Sequence, residues 1–313
     1  MRHDRTSEPG NAATCRIRGI VLGGLALSVL TVATFTLTVA EDRGHGESVP
    51  GPSAGRYTVR AVDEPVGDVA SPQPRSVSEE QLAELPQADT FTEVIGAPLD
   101  SAPERVPDGT VAHPTRTIAG YESPGGEPVV TVPSTQPLGI EPARTRVDTW
   151  LPVLERRPGW IQVALPSRPN NSVAWLHLGT EITLATTPYV ITVDRDAFTM
   201  TLHRHSHEIG RWTVGIGGSN SVTPTGRTFV IAAVHNPTAT YTPVLLAVGA
   251  HSETYTTYGG GPGTVGIHGW PDPTVFGTAD SDGCIRVPAD ALHTLTTAYS
   301  GSPVPAGTPV MIR

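Results

Sequence analysis

Near the C-terminus the run GIHGWPDPTVFGTADSDGCIRVP, residues 266–288, holds the residues best suited to chemistry. Cys284 lies sixteen positions after His268, with two acids, Asp280 and Asp282, beside the thiol. Such a cysteine can be a nucleophile, a metal ligand or a small buried hydrophobe. A nucleophile must be a thiolate, and an imidazole within hydrogen-bond reach takes the proton near neutral pH. His268 and Cys284 sit in short apolar runs flanked by glycine, VGIHG and GCIRV, and two neighbouring strand ends would bring them together. Gly283 lets the backbone come close to a bound carbonyl, and the amides around 282 to 284 could then bind an oxyanion.

Metal readings are weaker. DSDGC opens like a calcium loop, but Cys284 and Ile285 take the fifth and sixth positions, where a ligand and a glycine are needed. Ala291 stands at the twelfth, where a bidentate Glu belongs. Zinc at Cys284 and His268 would have only two ligands. His203, His205 and His207 would share one face of an extended segment, but HRHSH reads as a hairpin turn between two strands. No metal and no organic cofactor is expected.

The elements that must position this pair follow a long N-terminal region. Residues 19–40, GIVLGGLALSVLTVATFTLTVA, carry no charge and are long enough to cross a bilayer. Arg2, Arg5, Arg16 and Arg18 precede them, which keeps residues 1–18 cytoplasmic and sends the rest outside. The segment reads as a signal-anchor; a cleaved signal peptide ending at Thr38-Val39-Ala40 is the alternative. Cys15 is then cytoplasmic, and Cys284 stands alone in an oxidising exterior, a reason to expect that it has a use. Residues 41–110 are rich in Pro, Gly, Ser and acids and read as a disordered tether with a short helical segment at Ser78–Leu85. The net charge of −9 and the absence of any basic block exclude nucleic acid as a partner. All 21 basic residues are Arg, which reads as a coding bias.

From residue 111 the chain alternates apolar and polar residues between Gly and Pro breaks, predicting a mainly β protein. TRTIAGY, EPVVTVP, TWLPVLERRPGWIQVAL and SVAWLHL make a small β-barrel or β-roll over 111–186. Trp150, Trp160 and Trp175 could stack on glycan, but in so small a domain they are expected to form its core. A second β unit over 187–313 contains PYVITVD, AFTMTLHR, HEIGRWTVGIG, TFVIAAV, TPVLLAVG, VGIHG, CIRV and the closing GTPVMIR. Its one helix is predicted over Ala289–Tyr299, with Pro288 in the first turn and Leu292, Leu295 and Tyr299 on one face.

The HG at 268–269, the gap to Cys284 and the S-x-G-C-I-R that contains it resemble the catalytic domain of the L,D-transpeptidases, the YkuD-like family of bacterial cell-wall enzymes. TPTG (223–226) before TFVIAAV resembles the family's hairpin, and GTPVMI its closing strand. The resemblance covers roughly residues 187–313 and implies an L,D-transpeptidase-type β-sandwich with one helix, preceded here by a small SH3-like unit. It further implies that Cys284 is the nucleophile, His268 its base and the Gly269 carbonyl the group orienting the imidazole. The amides of Gly283 and Cys284 would form the oxyanion hole, and Ser281 matches the motif. Arg286 would bind a substrate carboxylate or brace the loop, and Tyr255 and Tyr258 would be lid or oxyanion-side residues or core.

Position 282 departs from the pattern, where the family usually has His. An acid turned inward would oppose ionisation of the thiol and repel an anionic donor. Asp282 is expected either to point outward and pair with an arginine such as Arg286, or to hydrogen-bond His268; otherwise the enzyme is slow or inactive.

The activity implied is attack of Cys284 on the third residue of a peptidoglycan stem peptide with loss of the terminal D-Ala. A neighbouring stem's amine then resolves the thioester, or water does, giving L,D-carboxypeptidase activity. Carbapenem-type β-lactams would acylate the same thiol. The alternative is a wall-binding or scaffolding protein with a degenerate catalytic domain; a cysteine protease fits the motifs less well.

Overall fold

Runs rich in Val, Ile and Thr, broken by Gly and Pro, build two eight-stranded sheets in the computed structural model, which describes residues 58–59, 71–139, 144–235 and 239–313. The transmembrane segment expected at 19–40 and most of the tether's first half lie outside the described residues. Among the described residues no helix is long and apolar enough to cross a membrane.

The first sheet runs from residues 58–59 through Ile182–Thr186, Thr110–Pro114, Leu151–Arg157, Trp160–Ala164, Val173–His177 and Ile118–Tyr121 to Pro128–Val132. The second orders His207–Thr213, Thr199–Arg204, Tyr189–Asp194, Pro309–Ile312, Gly226–His235, Val244–His251, Thr264–Gly269 and Ile285–Val287. Its neighbours are antiparallel except where the closing strand meets Tyr189–Asp194 and where Thr264–Gly269 meets Ile285–Val287. HRHSH is the hairpin turn between two strands of this sheet, with His205 and Ser206 at positive φ.

The central strand Gly226–His235 is buried on both faces over its first six residues, which is why TFVIAAV reads as one apolar run instead of alternating. Val230 faces a core with Leu246, Ile267, Ile285 and helix residues Ala291, Leu292 and Leu295. Phe229 and Ile231 face the other way, into a core shared with Leu151, Ile161, Val163 and Leu176 of the first sheet. The helix covers Ala289–Thr297, two residues shorter than expected, because Ser300 and Gly301 turn the chain with positive φ. Trp150, Trp160 and Trp175 are buried, the last two packed with Tyr121, so they are core and not an exposed glycan platform.

The tether expectation is corrected over residues 71–110. Glu79–Glu84 is a helix with a capping box between Ser78 and Gln81. Ala88 and Val94 are fully buried in the shared core, and Asp89 is nearly so. The Asp100 carboxylate accepts from both Nε and Nη2 of Arg227 on the second sheet, where both side chains are almost completely buried. Arg227 also donates to the Arg105 carbonyl at 2.8 Å. Composition misled because a segment that adds to an existing core needs only a few apolar residues, not enough for a core of its own.

Candidate active site

His268 is the penultimate residue of the strand Thr264–Gly269 and Cys284 immediately precedes its neighbour Ile285–Val287, and the parallel register pairs Ile267 with Ile285 and His268 with Arg286. Side chains alternate along a strand, so Ile267 and Ile285 enter the core while Gly266, His268, Cys284 and Arg286 share the opposite face. The chain between them returns through a short 3-10 turn, Pro273–Val275, capped by the Asp272 carboxylate on the Thr274 amide. A separation of sixteen positions thus becomes adjacency on two hydrogen-bonded strands.

Gly269 is required for close approach: a Cβ there would sit 2.1 Å from the Tyr241 carbonyl oxygen. The Gly269 carbonyl lies 2.9 Å from His268 Nδ1. A carbonyl only accepts, so Nδ1 carries the proton and Nε2 keeps its lone pair free to act as a base. Burial pushes the His268 pKa below that of an ordinary histidine; the Gly269 bond opposes this and the nearby Arg286 charge adds to it.

The thiol is free, and its sulfur accepts from the Gly266 amide at 3.4 Å. Burial pushes its pKa up. The Gly266 N–H and the Arg286 charge pull it down, and the Asp282 carboxylate adds a smaller upward push. Opposite shifts on the two partners favour a neutral thiol beside a neutral imidazole over an ion pair.

The loop that presents the thiol is fixed by hydroxyls. Gly283 has φ 109°, a conformation that disfavours any side chain. Ser281 Oγ donates to the Cys284 carbonyl at 2.6 Å and accepts from the Gly283 amide at 3.3 Å. The Gly283 N–H, expected in an oxyanion hole, therefore holds a long bond at rest that an oxyanion can replace. Two residues not anticipated from the motif complete the frame. Thr223 Oγ1, fully buried, donates to the Gly283 carbonyl at 2.9 Å and accepts from the Gly217 amide at 2.8 Å. Ser221 Oγ donates to the Asp282 carbonyl at 2.9 Å. The only hint of them in sequence is their place in and beside TPTG.

Neither expected partner of Asp282 is the one it takes. Its carboxylate accepts from the Tyr258 hydroxyl at 3.0 Å. Arg286 instead pairs with Asp280 at 2.8 Å and stacks over Trp270, its guanidinium carbon 4.0 Å from the ring centre. Trp270 also meets the His268 ring edge-on at 5.9 Å, so Arg286 and Trp270 together wall one side of the base. Its charge is thus paired with a carboxylate of its own chain. Tyr255 lies against Tyr258 at 5.8 Å, and both belong to the loop after Val244–His251 that faces the thiol loop. The three histidines of HRHSH gather no further ligands, and no group of three or more His, Cys, Asp or Glu suited to a metal occurs among the described residues.

With this arrangement in hand, comparisons with known proteins point one way. Residues 188–312 match the model of the L,D-transpeptidase catalytic domain, YkuD. The Bacillus subtilis (strain 168) protein YkuD is 30% identical over 128 residues, 41% of this chain and 68% of that protein. Among solved structures, an L,D-transpeptidase from Mycobacterium smegmatis is 14% identical over 57% of this chain and 99% of its own, with a TM-score of 0.32. An Enterococcus faecium L,D-transpeptidase mutant is 20% identical over 40% and 50% respectively, with a TM-score of 0.31. L,D-transpeptidase 3 of Mycobacterium tuberculosis, solved with a faropenem-derived adduct, is 13% identical over 46% and 75%, with a TM-score of 0.31.

Proposed function

This chain belongs to the YkuD family of L,D-transpeptidase catalytic domains, and on that premise we propose that it crosslinks peptidoglycan through a thioester on Cys284. The observation that carries the reading is the orientation of His268: Nδ1 is held by the Gly269 carbonyl, and Nε2 is left as a base on the face that Cys284 shares. In the first half-reaction, Cys284 Sγ attacks the carbonyl of the third stem residue while Nε2 takes the thiol proton. The oxygen becomes anionic against the Cys284 and Gly283 amides. Collapse breaks the peptide bond, and the imidazolium returns its proton to the leaving D-Ala amine. The second half runs in reverse: an acceptor amine attacks the thioester, His268 takes its proton, and the thiol is released. Water in place of the amine gives L,D-carboxypeptidase activity.

The apolar run at 19–40 would tether the enzyme to the outer side of the cytoplasmic membrane, within reach of the wall. The relative solved with a faropenem-derived adduct supports β-lactams as probes of the same thiol. Intact-mass spectrometry of the extracellular region with a carbapenem should show one adduct, absent in Cys284→Ala. No adduct on the wild type, or one that survives Cys284→Ala, would overturn the nucleophile assignment. A second reading, a wall-binding protein with a spent site, draws on the Asp282 carboxylate beside a buried thiol. Muropeptide binding without turnover, unchanged by Cys284→Ala, would favour it.

A further inference from the structure

The first β unit grips a loop beside the active site, and one arginine makes three of the bonds. Arg168 lies between the strands Trp160–Ala164 and Val173–His177, on the unit that carries no catalytic residue. Its guanidinium donates to three carbonyls of one loop on the other unit: Ser252 at 2.8 Å, Tyr255 at 3.0 Å and Pro262 at 2.9 Å. Asn170 adds a reciprocal pair, donating to the His251 carbonyl and accepting from the His251 amide, both at 2.8 Å. The fit leaves no slack at Gly263, where a Cβ would lie 2.1 Å from the Tyr255 oxygen and 3.0 Å from the Arg168 guanidinium.

The same loop, residues 252–263, is bonded on its other side to the segment that presents the thiol. Tyr258 donates to the Asp282 carboxylate. Ser252 Oγ meets Ser221 Oγ at 2.9 Å, and Ser221 donates to the Asp282 carbonyl. Thr254 Oγ1 donates to the Asn220 carbonyl at 3.0 Å. A continuous series of bonds therefore runs from Arg168 through the loop to the residue two before Cys284.

We propose that Arg168 is a positioning residue for the acyl-transfer site. The first β unit thereby serves as the fixed outer support of the substrate-facing loop, and not merely as a spacer. The inference rests on the reading that Cys284 is acylated by substrate. A planar fork of donors can serve three carbonyls at once, which a lysine ammonium on a flexible stem does poorly. With the clamp released, Tyr258 and Asp282 lose their set position. A bulky acyl donor then binds worse, while a small electrophile still reaches the thiol.

Three measurements on the extracellular region test this. Hydrogen exchange at amides 253–261 should quicken by about tenfold or more in Arg168→Ala. The concentration of carbapenem giving half-maximal inactivation should rise about fivefold or more, with alkylation of Cys284 by iodoacetamide kept within about twofold. Arg168→Lys should fall between, and Arg116→Ala, which removes a surface pair with Glu181 on the same unit, should match the wild type. Unchanged exchange and unchanged carbapenem dependence in Arg168→Ala would overturn the proposal. So would a parallel loss of both reagents, which marks plain destabilisation. If Arg168→Ala does not fold, Arg168→Lys carries the same comparison. If the wild type takes no carbapenem, the functional reading fails, and with it Arg168's role in acyl transfer; the exchange data then report only whether the loop is clamped.

Discussion

Raising the pH from 6.5 to 8.5 should speed alkylation of Cys284 by iodoacetamide about a hundredfold, while acylation by a carbapenem stays nearly flat. A free thiol ionises near pH 8.5 and a free imidazole near 6.5, to within about a unit. Burial moves Cys284 above its ordinary value and His268 below its own. Between those two values the resting pair is a neutral thiol and a neutral imidazole. Iodoacetamide brings no means of moving a proton and reacts with the preformed thiolate, whose fraction rises about tenfold for each pH unit below the thiol pKa. Acylation with His268 as general base draws instead on the neutral pair, whose population is constant across this window. Stopped-time alkylation and mass-resolved acylation at five pH values would give both slopes. His268→Ala should convert the flat acylation profile into one that climbs like alkylation. An alkylation rate that is already on a plateau by pH 7 would refute the reasoning. It would mean that a thiolate–imidazolium pair exists at rest, despite the burial of both groups and the Arg286 charge that disfavours imidazolium.

Thr223→Val keeps the shape of the side chain but leaves the Gly217 amide and the Gly283 carbonyl without their buried partner. The expected cost is about 1–3 kcal/mol of stability, with a clear loss of carbapenem acylation, read by thermal melting and adduct formation. Gly269→Ala places a methyl against the Tyr241 carbonyl; soluble yield should fall, and what folds should acylate poorly because the imidazole's anchor moves with its backbone. Asp282→Asn removes the acid's push on the thiol while keeping an acceptor for Tyr258. Alkylation at pH 7.5 should quicken, by less than about tenfold. A loss of acylation above about a hundredfold would show that the carboxylate works directly on the reaction. Stability should also fall on the acid side. Burial pushes the His268 pKa down, and it pushes His251 down too, although the Pro166 and Pro262 carbonyls at the two His251 ring nitrogens pull the other way, since a neutral imidazole can donate to only one of them. Groups with depressed folded pKa values stabilise above their unfolded value and lose that contribution as pH falls through about 6.5 and below. Denaturant midpoints should therefore drop between pH 7 and pH 5, and a flat profile there would argue against the buried, neutral histidines.

Much of the fold was legible because it rests on patterns that sequence carries directly. Strands announced themselves by Val, Ile and Thr between breakers, and HRHSH by its place between two of them. The placing of His268 and Cys284 at two neighbouring strands was legible for a similar reason, since two short apolar runs with glycines at their ends are the natural neighbours in a sheet. Asp282 was not legible. Its partner, Tyr258, is 24 residues upstream on a loop whose path depends on a different part of the chain. The choice of Asp280 by Arg286 was equally hidden, because both acids lie within reach in sequence and only the stack on Trp270 decides between them. The clamp by Arg168 marks the deeper limit. It reads three backbone carbonyls, and every residue has one. No residue type in the loop 252–263 is needed to accept those bonds, so nothing in that stretch of sequence points to the arginine. What the sequence does retain is the exclusion it imposes: Gly263 must stay without a side chain because of the carbonyl and guanidinium pressed against it. Interactions made by side chains on backbone thus leave their trace as a required glycine nearby: in GGGPG that glycine is Gly263, whereas Gly259 has open space where a Cβ would lie.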